Sequence, residues 1–154
     1  MSSIIKRPRW DTRWAAMNQE TLRRIPLFSG LPQDELAVVA KRLEYHAVPG
    51  GTVLVREGEP GGKCYFILGG EVEIVKSIDT SEERLLAVRG PGSSLGEMEL
   101  FSQVHVRTAS VRAKSSIQVA EISRADLEDL VRRQPGMAFE LVRTLSGRLD
   151  ESEN

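Results

Sequence analysis

The chain has 154 residues, 40% hydrophobic and 28% charged, with a net charge of −1. That length suits one domain able to bury roughly 70% of its unfolded surface around one core, and the charge gives no overall attraction to nucleic acid or to an anionic membrane. Cys64 is the only cysteine, which excludes intramolecular disulfides, cysteine-ligated structural zinc and iron–sulfur clusters within one chain.

The N-terminus carries charge but no apolar h-region, and no apolar run approaches the roughly 20 residues that cross a bilayer, so the expected location is the cytoplasm and no membrane partner is expected. Residues 1–26 hold Lys6, Arg7, Arg9, Arg13, Arg23 and Arg24 against Asp11 and Glu20. From Asp11 to Arg24, Trp14, Met17, Leu22 and Ile25 recur at roughly helical spacing, with Trp10 one turn earlier, which predicts a basic amphipathic helix that Pro26 ends. Its positive face is small and reads as solvated, so nucleic acid is not an expected partner. Leu27 to Leu31 reads as a loop, and Pro32 opens a helix with Leu36, Val39, Ala40 and Leu43 on one face.

From Glu44 to Ile122 short apolar runs recur about every ten residues, each closed by Gly, Pro, Asp or Ser. This spacing predicts strands near 44–48, 52–56, 64–68, 71–76, 84–89, 93–95, 108–113 and 117–122. The fold expected is therefore α+β but mainly β, an eight-stranded jelly-roll β-barrel flanked by N-terminal and C-terminal helices. The glycines of its turns read mostly as positions of positive φ. Ser123 with Asp126 resembles a capping box that opens a helix with Leu127, Leu130 and Val131 inward, and Pro135-Gly136 breaks it. A last helix follows with Met137, Ala138, Leu141, Val142, Leu145 and Leu149 on one stripe. Such a wide stripe should cover the roll or pair with a second copy of itself, a possible homodimer.

The segment from Gly96 to Ala109 carries the chemistry. Gly92 to Gly96 end a strand region, and Glu97 to Phe101 is long enough for one helical turn whose free backbone N–H groups, Met98 and Glu99 among them, would face an anion. Gly96 permits close approach to the backbone, and Arg107 offers a planar fork that fits two phosphate oxygens. Glu97 only accepts hydrogen bonds, so beside a bound anion it suits a ligand hydroxyl such as a ribose 2′-OH. A second reading of Glu97 and Arg107, an internal salt bridge in a turn, stays open on spacing alone.

Gly96-Glu97-Met98-Glu99-Leu100-Phe101, followed after a loop by Arg107-Thr108-Ala109-Ser110-Val111, resembles the phosphate-binding cassette of cyclic nucleotide-binding domains. The resemblance runs from about Ile25 to Leu149. It implies an extension at 1–26 and a cyclic nucleotide-binding domain at 27–154, with a helix at 27–43, a β-roll at 44–122 containing the cassette at 96–109, and C-terminal helices at 123–154. It further implies that Glu97 holds the ribose 2′-OH and Arg107 the cyclic phosphate, with Thr108 beside it. Ile74, Leu86 and Ala87 match the base pocket, with Arg148 and Ser152 from the last helix. Glu99 stands where the family usually has a small residue; it either points to solvent or lies near Arg107 as a counter-ion competing with phosphate. In the lid version of the last helix, Arg148 reaches Glu97 and a bound ligand draws that helix over the pocket.

What these residues imply is a sensor for cAMP or cGMP, between which Thr108 does not decide, with movement of the last helix as output and no cofactor. The chain stops just after that helix, so the output is expected from a separate partner or from a longer protein. The alternative is a cassette that has lost its ligand and serves as an interaction or dimerisation module. His46 and His105 are far apart with no third histidine, so the metal-binding version of a jelly roll lacks its ligands, and no nucleophile signature suggests an enzyme.

Overall fold

The computed structural model describes residues 19–96 and 106–153, the side chains at 144, 145 and 147–153 excepted. Expectations for Trp10, Trp14 and Met17, and for Glu97, Met98, Glu99 and His105, lie outside the described residues.

The described chain begins with helix α1 (Gln19–Arg23) and a 3-10 turn (Pro26–Phe28), followed by α2 (Gln33–Arg42). Eight strands then run β1 (Glu44–Val48), β2 (Val53–Val55), β3 (Lys63–Gly69), β4 (Val72–Lys76), β5 (Arg84–Arg89), β6 (Ser94–Leu95), β7 (Ser110–Ala113) and β8 (Ile117–Ser123), before helices α3 (Arg124–Arg133) and α4 (Pro135–Glu153). The segment expected as a loop after Pro26 is a 3-10 turn instead, because Leu27 and Phe28 are pulled into the core, and Phe28 meets Phe66 with ring centroids 4.9 Å apart. Pro32 sits immediately before α2 and its carbonyl accepts from the Leu36 amide at 2.9 Å.

The strands form two antiparallel four-stranded sheets, ordered β1-β8-β3-β6 and β2-β7-β4-β5. The expected barrel is in this respect two facing sheets: among the described residues no strand ladder joins them into a closed wall. Two apolar layers explain the arrangement. Val48, Tyr65, Ile67, Val119 and Ile117 from the first sheet meet Leu54, Val72 and Val111 from the second, filling the roll. Tyr45, Cys64, Phe66, Ala120 and Ile122, on the other face of the first sheet, meet Leu22, Ile25, Phe28, Leu36, Leu127, Met137 and Leu141 from the helical segments. The first sheet is thus buried on both faces, which is why β3 reads as a continuous apolar run rather than an alternation.

Ser123 caps α3, its hydroxyl accepting from the Asp126 amide at 3.1 Å, and Leu127 and Leu130 face inward. Pro135 begins α4, where a missing N–H costs nothing. Met137 and Leu141 dock against the helical core, while Phe139 and Val142 are exposed. The predicted stripe is therefore only partly used within one chain. The turn glycines are not mostly at positive φ as expected: Gly51, Gly58, Gly70 and Gly92 are, Gly50, Gly62, Gly69 and Gly90 are not, and Gly96 is one more that is.

Candidate functional site

Arg107 is only 8% exposed, and its position follows from main-chain pairing. Its amide donates to the Glu59 carbonyl at 2.9 Å, its carbonyl accepts from the Gly58 amide at 2.8 Å, and Val106 bridges Pro60. The turn after β2 therefore clamps the residue before its side chain is considered. The guanidinium is then held in place: Nη2 donates to the Lys63 carbonyl at 2.5 Å, and Cζ lies 5.9 Å from the centre of the Tyr65 ring. Tyr65 stays neutral throughout the physiological range. Burial and the negative charge of Glu121 push its phenol up to about 12 against the opposing pull of Arg107.

Gly96 has a φ of +91°, and a Cβ there would strike the Arg107 guanidinium and stand 2.9 Å from the Lys63 carbonyl. The glycine expected to admit a ligand thus first admits Arg107. Arg107 and Gly96 are thus direct neighbours. Thr108 is exposed, with its carbonyl accepting from Lys76 Nζ at 2.9 Å, and Ala109 is half-buried beside the buried Ser110. Lys76 also pairs Glu57 at 2.9 Å, and Glu57 accepts from the Ser77 amide. That amide first, and Lys76 second, hold the Glu57 carboxyl below its ordinary range.

Of the expected base-pocket residues, Ile74 on β4 and Ala87 on β5 stand directly opposite each other, and Ile74 packs on the interior of the roll. Leu86 falls where the β4–β5 register shifts, takes no partner in register, and is 49% exposed. Arg148 and Ser152 are α4 positions whose side chains are outside the described set, as is Glu97, so the lid contact is not placed. Sequence reasoning missed Lys63 and Tyr65. Lys63 acts on Arg107 through its backbone carbonyl from 44 residues away, which no side-chain pattern announces.

A buried guanidinium held by a backbone carbonyl and an aromatic ring, with little side-chain freedom left to lose, is a group that can hold an anion. Two antiparallel sheets forming a roll, helices on one outer face and a buried arginine beside a positive-φ glycine define a ligand-binding module of the jelly-roll class. The chain belongs to the cyclic nucleotide-binding domain family, whose model matches residues 45–134. It is 30% identical over 135 residues to a CRP-like cAMP-activated global transcriptional regulator of Mycobacterium tuberculosis, covering 88% of this chain and 60% of that protein. A Rhodopseudomonas palustris protein named as a potassium channel is 30% identical over 153 residues, 99% of this chain and 35% of its own length. The solved cyclic nucleotide-binding domain of Methylobacillus flagellatus aligns with a TM-score of 0.75 at 28% identity, covering 92% of this chain and 81% of that one. The chain spans less than two thirds of either curated relative. Among the described residues, no helix is long and apolar enough to cross a membrane.

Proposed function

We propose that this chain is a regulatory sensor that binds a cyclic nucleotide, with Arg107 holding the cyclic phosphate and Glu97 the ribose 2′-OH. The observation that carries the reading is the fixed guanidinium of Arg107, set over the Tyr65 ring, tied to the Lys63 carbonyl and packed over Gly96. Gly96, Met98, Glu99, Thr108 and Ala109 complete the phosphate side in this reading, and Ile74 and Ala87 with Leu86 line the base side. The name of the mycobacterial relative favours cAMP as ligand, and cGMP is the competing choice. The output is movement of α4, with Arg148 and Ser152 closing over the base. A transcriptional regulator and a channel among the relatives suggest that the receiving partner or domain differs from protein to protein.

The second reading, an interaction or dimerisation module, draws on the exposed Phe139 and Val142 on α4 and on Glu99 within the cassette. Isothermal titration of nucleotide-stripped protein with cAMP, cGMP and 5′-AMP separates the two. Micromolar or tighter binding of a cyclic nucleotide, with 5′-AMP much weaker, is the expected result. Arg107→Ala should then cost roughly 2–5 kcal/mol of binding, a tenfold loss for each 1.4. Absence of binding in the unaltered chain overturns the sensor in favour of the interaction module, and an unchanged constant in the variant removes Arg107 from the site.

A further inference from the structure

Along the inner face of the first sheet every second position is apolar until one end, where the pattern breaks. Glu44 and His46 share the face of Val48 on β1, and Glu121 shares the face of Val119 on β8. The register sets Glu44 directly opposite Glu121, and Glu121 opposite Tyr65. His46 is 4% exposed and Glu121 5%. One ligand-type atom from each of Glu44, His46 and Glu121 lies within 4.8 Å of the others.

Two features require an explanation. Carboxylates directly opposite each other across a ladder repel unless a cation lies with them, and burial sharpens the demand. Lys63 supplies one cation, its ammonium contacting Glu121 Oε2, but its side chain is half exposed and free to swing outward. His46 Nε2 lies 3.0 Å from Glu121 Oε1 as an ion-pair contact without the alignment of a good hydrogen bond, and Nδ1 has no hydrogen-bond partner among the described residues. A buried imidazole left with one poorly aligned contact is costly, and an ion is one of the few groups that relieves it.

We infer that Glu44, His46 and Glu121 form a binding site for a divalent transition ion of the zinc class inside the end of the roll, with Lys63 as the resident cation that the ion displaces. One imidazole nitrogen and two carboxylates match the donor preference of such ions. Ligand atoms about 2 Å from a shared ion stand about 3.4 Å apart when tetrahedral and about 2.9 Å when octahedral, which brackets the His46–Glu121 separation. Half-buried Glu44 closes the remaining distance by side-chain rotation. The sequence reading counted only histidines and so found no ligand set; strand register recruits the two acids. The site touches the anion site through Lys63 and Tyr65, which both contact Arg107. It nevertheless stands or falls independently of nucleotide binding.

The test is isothermal titration of the untagged, EDTA-treated chain with Zn²⁺, with Mg²⁺ as the hard-ion control, on the unaltered protein, His46→Gln and Lys63→Ala, each checked for an unchanged circular dichroism spectrum. The expected result is one Zn²⁺ per chain, Mg²⁺ much weaker, at least tenfold weaker Zn²⁺ binding in His46→Gln, and tighter binding in Lys63→Ala because the competing ammonium is gone. Lys63→Ala keeps the carbonyl that holds Arg107, so it reads the metal site alone. Absence of Zn²⁺ binding, an unchanged constant in His46→Gln, or weaker binding in Lys63→Ala each overturns the proposal.

Discussion

Strand β3, at the heart of one sheet, is buried from Cys64 to Leu68, whereas β5, at the edge of the other, exposes Leu85, Leu86 and Val88 among the described residues. The first sheet is pressed between two cores, one filling the roll and one shared with the helices. The second carries ion pairs: Arg112 on β7 reaches Glu73 at 3.0 Å and Glu83 at 3.2 Å, and Lys76 reaches Glu57. Apolar burial at about 25 cal/mol per Å² outweighs half-exposed ion pairs worth about 1 kcal/mol or less. The difference separates labour within one small fold: the doubly buried sheet dominates stability and fixes Lys63 and Tyr65 under Arg107, while the more exposed sheet carries Ile74 and Ala87.

The strongest way to break this comparison is to truncate one residue on each side. Phe66→Ala removes a fully buried ring that touches Phe28 and should cost about 3–5 kcal/mol, whereas Leu85→Ser on the exposed strand should stay within about 0.5 kcal/mol. Urea unfolding midpoints measure both, and equal shifts would show that the two sheets are not unequal in the sense argued. A smaller effect is expected at the junction between stability and site. Gly96→Ala must hold a side chain at a φ of +91°, at about 1–2 kcal/mol, and pushes its Cβ toward the Lys63 carbonyl and the Arg107 guanidinium. Nucleotide affinity should fall along with the melting temperature; a loss of stability with unchanged affinity would separate Gly96 from the placement of Arg107.

These effects also mark where sequence is informative. Alternation and turn punctuation locate the strands well, down to β1 at Glu44–Val48 and β5 at Arg84–Arg89, because each is bounded by residues with a local conformational preference. The Ser123 cap is equally local. Three features escape that reading because their causes are distant. Leu27 and Phe28 form a turn only because a core waits for them, Arg107 is positioned by a backbone carbonyl, and Glu44, His46 and Glu121 become neighbours only through the β1–β8 register. Likewise the stripe on α4 is legible as apolar, but its division into the docked Met137 and Leu141 and the exposed Val142 depends on where α4 crosses the 3-10 turn.

The mildest test of the comparison lies in the hairpin between β4 and β5, where Ser77 and Asp79 hold positive φ of 56° and 63° without being glycine. Side-chain acceptors compensate for that strain: the Ser77 amide donates to Glu57 and the Asp79 amide to Glu83, each at 2.9 Å. Those amides are the leading cause holding both carboxyls below their ordinary value of 4.5, with Lys76 and Arg112 adding to the effect. A carboxylate with a depressed folded value contributes stability that is present above 4.5 and is lost as pH falls through the folded value. Acidification from pH 6 should therefore loosen this hairpin while the doubly buried sheet stays intact. The amide proton shifts of Ser77 and Asp79 should titrate with midpoints below 4.5, and those of Phe66 and Ile67 should not move with them. Midpoints at or above 4.5 would mean that the two glutamates do not hold the hairpin, and a concerted change in β3 would mean that the two sheets respond to acid as one.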